Sequence, residues 1–216
     1  MDSIIEIRRE RFLADLNAID FAKILPLVST RKEFFDTDFY FRLQKKAISE
    51  KSVQASVYLY NLLLSIDHLI EAEHALECAH TIDPENSTIT YFLVDIYCRR
   101  KMIFHAVHFT AVLEKYPQSI LYVNSKIKCS LLCGKFSECA SLILENFEEH
   151  QANSDFIQLC FDFGFYHNSP EVMQKVCQSA IGREIVIGLN SQMSSSVRRL
   201  LVNRLTELCR LKYGFF

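Results

Sequence analysis

Residues 53–84 read VQASVYLYNLLLSIDHLIEAEHALECAHTIDP, and this stretch decides the fold. Two apolar segments with helical spacing meet at Ile66-Asp67-His68, and the second closes on Ile82-Asp83-Pro84. Proline cannot continue a helix, so the chain must reverse there, and the stretch predicts a helix hairpin. The design recurs downstream. Residues 86–117 place Tyr91, Leu93, Val94 and Tyr97 on a first helix. A basic corner, Arg99-Arg100-Lys101, follows, and then Phe104, Ala106, Val107, Phe109 and Leu113 before Tyr116-Pro117. A third unit runs from Ile120 through Cys133-Gly134-Lys135-Phe136 to Phe147. A fourth, looser one pairs Asp155–Tyr166 with a helix opened by Ser169 as N-cap and Pro170 at its first position.

A small residue marks the register. Ala72, Ala106 and Cys139 follow the three corners at intervals of 34 and 33 residues. A small side chain there lets the second helix of each pair approach the first closely. No hairpin can bury its apolar stripe alone, so three or more must stack, leaving an inner groove lined by first helices. Five glycines and four prolines in 216 residues are too few for a hairpin-rich β architecture, and the fold class is all-α. Asn86-Ser87-Thr88 is a glycosylation sequon in form, but it stands where the second hairpin needs an N-cap, and it is read as one.

The flanks are less regular. Residues 1–52 form a degenerate helical N-terminal cap or dimerisation segment. Residues 3–16 have helical spacing, Pro26 interrupts a second segment, and Phe34, Phe35, Phe39 and Phe41 crowd a third. Two readings stand side by side: a degenerate repeat packed on residues 53–66, or a self-association surface built on those four phenylalanines and giving a homodimer. Residues 53–181 are the repeats, and 182–216 form a C-terminal cap. In the cap, REIVIGLNSQMSSS reads as a loop or short element and Val197–Leu211 as an amphipathic helix.

Composition narrows the function. The net charge of −2 provides no field to attract a polyanion, so nucleic acid is not an expected partner. The charge-studded N-terminus lacks a signal peptide's apolar run and no apolar stretch is long enough to span a bilayer, so no membrane association is expected and a cytoplasmic or nuclear location is. The eight cysteines lie in helical stretches and are read as reduced. No phosphate-cradling glycine loop, zinc-protease motif or nucleophile elbow occurs. The pairs His74/Cys78 and His105/His108, and Cys129/Cys133 near Cys139, fall short of a four-ligand metal site. No cofactor, metal or catalytic residue is assigned, and the chain is not read as an enzyme.

These positions resemble the tetratricopeptide repeat (TPR) family. Leu59, Leu63, Asp67, Leu69, Ala72, Ala79 and Pro84 match its pattern in the first unit, Leu93, Tyr97, Lys101, Ile103 and Ala106 in the second, and Gly134, Phe136 and Cys139 in the third. The resemblance implies a right-handed superhelix of antiparallel hairpins, a TPR-like α-solenoid, acting as a protein-interaction scaffold. It also implies a protein or peptide ligand against first-helix residues: Val57, Asn61 and Leu64, then Tyr91, Asp95 and Arg99, then Leu121, Asn124, Lys128 and Leu131. One TPR subclass grips a C-terminal carboxylate with Lys and Asn. Here Asn61 fits and Val57 stands where the lysine belongs, which points instead to an extended peptide or helix with aliphatic anchors. Stretches such as TYFLVDIYCRRKMIFHAVHF (90–109) are similar to the degenerate repeats of TPR scaffold subunits of the anaphase-promoting complex, a cell-cycle ubiquitin ligase. In size and repeat number the chain also resembles the bacterial TPR chaperones that serve type III secretion translocators.

Overall fold

The computed structural model describes residues 2–28 and 38–192. Among these residues there are twelve α-helices and no strand. The chain divides into two compact units, Met1–Lys115 and Tyr116–Phe216. The first holds α1 (Asp2–Asp15), α2 (Ala18–Val28), α3 (Asp38–Ile48), α4 (Val53–Ser65), α5 (Leu69–Ile82), α6 (Ser87–Arg99) and α7 (Ile103–Leu113). The second holds α8 (Ile120–Leu132), α9 (Phe136–His150), α10 (Ser154–Tyr166), α11 (Pro170–Gln178) and α12 (Ala180–Gln192).

The hairpins are α4/α5, α6/α7, α8/α9 and α10/α11, and two local devices repeat through all four. Each first helix is opened by a side-chain cap. Ala55 N–H donates to Ser52 Oγ (3.2 Å), Thr88 and Ile89 N–H to Asn86 Oδ1 (3.2 and 3.3 Å), Leu121 N–H to Ser119 Oγ (3.3 Å), and Phe156 N–H to Asn153 Oδ1 (2.9 Å). The caps at 52, 86, 119 and 153 are spaced 34, 33 and 34 residues apart. Each corner then turns through one left-handed residue in the same register: Asp67 (φ 62°), Lys101 (58°), Gly134 (72°) and Asn168 (56°). Only the third corner uses the residue that adopts this conformation without steric cost. The fourth hairpin therefore keeps the spacing of the other three.

Ala72, Ala106 and Cys139 are fully buried, and the Cys139 thiol reaches the Ile127 carbonyl at 3.6 Å, across the α8/α9 crossing. In the first unit α5 and α6 are also joined by polar groups. The Tyr97 hydroxyl donates to Glu77 Oε1 (3.1 Å) and Arg100 pairs with Glu73, while toward α7 the Tyr97 ring stacks on Phe109 with centroids 5.6 Å apart. The second unit is centred on Ile127, Ile143, Phe147, Phe156, Ile157 and Val176.

The flanks depart from expectation at one point. Pro26 lies inside α2, third from its end, so it does not interrupt that helix. A proline this close to the C-terminus disturbs only the last turn. Of the two readings of the segment after Gly182, loop or short element, residues 183–192 take the second: they belong to α12, whose Ile181, Ile185 and Val186 bring apolar side chains at helical spacing onto the core of the second unit. The backbone at Gly182 passes so close to the end of α11 that a Cβ would sit 2.0 Å from the Val176 carbonyl oxygen. The amphipathic segment at residues 197–211 lies outside the described residues.

Candidate functional site

Within the first unit, α4 and α6 carry the first-helix positions singled out in the sequence. Val57, Asn61 and Leu64 are half-buried on α4, and the Asn61 amide donates to the Val57 carbonyl (2.9 Å). On α6, Tyr91 and Asp95 are largely buried and Arg99 is exposed. The polar core of this face is a relay. Arg99 Nε donates to Asp95 Oδ2 at 2.7 Å, and the Tyr60 hydroxyl, itself buried, donates to the same oxygen at 3.5 Å. The Tyr60 ring lies 5.3 Å from Phe92, whose ring is in turn 5.7 Å from Tyr91. Burial, reinforced by the negative charge of Asp95, pushes the Tyr60 hydroxyl well above its usual range, so it remains a donor. Burial works against the charge on Arg99, but the hydrogen bond to Asp95 together with the charge interactions with Asp95, Tyr60 and Tyr91 holds the guanidinium above its ordinary value.

The remaining four candidates lie on α8 in the second unit. Leu121, Lys128 and Leu131 are half-buried, Leu131 against the local core, whereas Asn124 is 3% exposed and faces the interior. Tyr60 and Phe92 are contributors that the repeat register alone does not single out. Their aromatic character at the step between successive first helices was the signal available.

Of the self-association residues, Phe34 and Phe35 lie outside the described residues. Phe39 is 3% exposed, its ring 6.0 Å from Phe12 and capped by the Arg9 guanidinium at 5.5 Å. Phe12, Phe21 and Tyr58 complete that cluster, with centroids 4.5 to 5.2 Å apart, so α1 and α2 fold over α4. Phe41 is 57% exposed, its ring 5.6 Å from that of Tyr40. In the same unit, α3, α4 and α5 enclose a cleft of about 240 Å³ walled by Ile48, Leu59, Leu63 and Ile70, with Tyr40, Gln44, Glu71 and His74 among its lining.

The candidate metal ligands do not converge. Cys78 Sγ and His74 Nε2 stand 3.8 Å apart on α5, and among the described residues no group of three His, Cys, Asp or Glu side chains is placed to hold an ion. Burial raises the Cys139 thiol to about 11 and the Cys160 thiol higher still, which suits packing and not nucleophilic attack. No described helix is long and apolar enough to cross a membrane.

No protein-family model matches the sequence, and no curated protein matches it. Among solved structures, the chain is similar to a tetratricopeptide repeat protein from Parabacteroides merdae ATCC 43184. The TM-score is 0.57 at 13% identity, over 97% of this chain and 83% of that one. At that identity the likeness concerns the fold alone, and the chain shares the helical-hairpin fold of a TPR α-solenoid.

Proposed function

We propose that the chain is a protein-interaction scaffold that receives an extended peptide or partner helix on the exposed faces of its first helices. The observation that carries this is the α4–α6 face: half-buried Val57, Leu64 and Phe92 beside a fixed ion pair, Asp95–Arg99. Such a face combines apolar anchors with one oriented charge, the composition of a recognition surface. The likeness of fold to a TPR protein supports the same reading. The finer assignment, a subunit of a multiprotein assembly such as the anaphase-promoting complex, rests on the resemblance of residues 90–109 to that complex's degenerate repeats. A homodimer is a second reading, favoured by the exposure of Phe41 on α3.

Affinity purification of the tagged chain with quantitative mass spectrometry tests the face. Leu64→Asp is expected to remove the specific partners and Phe104→Asp, on the outer side of the second hairpin where it is 89% exposed, to retain them. The opposite pattern moves the binding surface to the outer face and refutes the proposal.

A further inference from the structure

We infer that Arg99 makes the α4–α6 face selective for a partner segment that carries a side-chain carboxylate about three to four positions from its apolar anchor. This rests on the groove reading above and deepens it.

Arg99 sits in the last turn of α6, and its Nε is spent on Asp95 Oδ2. The Asp95 side chain is only 13% exposed and receives the buried Tyr60 hydroxyl from α4, whereas the Arg99 side chain is 53% exposed. The guanidinium is thus held through one nitrogen against an anchored carboxylate. Among the described residues no acceptor takes its Nη hydrogens. The planar fork formed by the two Nη groups matches a carboxylate's two oxygens, and holding it in place in advance lowers the entropy lost on binding. The neighbouring Arg100 is already committed to Glu73, so Arg99 is the guanidinium of this corner available to a partner. Asp95 behind it offsets part of the positive charge, which suits a monoanion better than a phosphate dianion.

The spacing is set by the helix. Phe92 lies seven positions before Arg99 on α6, about 10 Å at a rise of about 1.5 Å per residue. An extended peptide advances about 3.3 Å per residue, so its acidic residue falls about three to four positions from the side chain resting on Phe92.

The test uses the full chain on an array of short random-sequence peptides, with hits measured in solution by fluorescence anisotropy. The expected hits carry Asp or Glu three or four positions from an aliphatic or aromatic residue. Replacing that acid by its amide weakens binding about ten-fold or more, and phosphoserine in its place does not tighten it. Arg99→Gln binds the acid and amide peptides equally while still requiring the apolar residue. The peptide-side exchange leaves the protein unaltered, so the result does not depend on how a variant folds. Hits without acidic preference, tighter binding of the phosphoserine form, or a preference that survives Arg99→Gln would overturn the role of Arg99 and leave the groove reading standing. Hits indifferent to Leu64→Asp, or no hits at all, would overturn both.

Discussion

The left-handed corners can be tested by exchanging residues between two of them. Lys101 holds φ 58° with an exposed side chain, and Gly134 holds φ 72° with nothing within 4 Å of the place a Cβ would occupy. Lys101→Gly should therefore relieve about 1–2 kcal/mol of backbone strain. The wider freedom of glycine in the unfolded chain returns about 0.5–1 kcal/mol, leaving a net stabilisation of about 0.5–1 kcal/mol. Gly134→Lys incurs no steric clash, so it should destabilise by a similar amount for the same reason taken in reverse. In a chain of this length each kcal/mol shifts Tm by about 2–4 °C. Urea unfolding followed by circular dichroism reads the sign, and hydrogen exchange assigns each effect to its own compact unit. Lys101→Gly lowering stability, or both exchanges proving neutral, would refute the claim that the corners are strained by register and not by side-chain contacts.

Packing and thiol burial give three further outcomes. Ala106→Phe is expected to cost about 1–3 kcal/mol by overpacking the α6/α7 crossing, and unchanged thermal stability would show that Ala106 is not the close-approach residue. With iodoacetamide under native conditions at mildly alkaline pH, exposed Cys133 should be alkylated while Cys139 and Cys160, buried and with raised thiol pKa values, should stay protected; peptide mapping gives the order directly. Gly182→Ala places a Cβ against the Val176 carbonyl, a backbone atom that cannot swing aside, so it should loosen α12 and raise hydrogen exchange over residues 180–192.

The hairpins were legible because their signals are local. Pro84, Gly134 and the Ser169-Pro170 start each act through the backbone of their own segment, and Asn86 could be read as a cap from its place between Pro84 and the apolar run of α6. Residues 183–192 were only partly legible: loop and short element both fitted the sequence, and only the core of the second unit supplies the surface that holds Ile181, Ile185 and Val186 in a helix. Phe39 and Phe41 show the same limit. Both belong to one aromatic cluster in the sequence, but helical phase turns one under Phe12 and the other outward, and the phase depends on where α3 packs. At the candidate site the register located Asp95 and Arg99. Their partner Tyr60 comes from another hairpin, a tertiary contact that no spacing within one repeat encodes.

The fourth hairpin also shows how the repeat tolerates a large residue at the slot that is small elsewhere. In its register, Met173 occupies the position of Ala72, Ala106 and Cys139 and is 1% exposed. The first helix opposite supplies Gly164, where a Cβ would meet Met173 Cγ and Sδ at 2.8 Å. The equivalent first-helix positions, Leu63, Tyr97 and Ser130, are larger. Volume has been traded across the crossing, which predicts a coupling of opposite sign in two backgrounds. In the wild type, Gly164→Ala crowds Met173, a flexible side chain that can shift only at a cost, and should be neutral to destabilising despite alanine's better helix propensity. Met173→Ala alone leaves a cavity costing about 2–5 kcal/mol. In that background Gly164→Ala has room, so it should restore about 0.5–1 kcal/mol from propensity plus part of the lost packing. A double-mutant cycle from urea unfolding measures this. A Gly164→Ala effect of the same sign and size in both backgrounds would mean that the two residues do not share the crossing and that the fourth hairpin packs by a different rule.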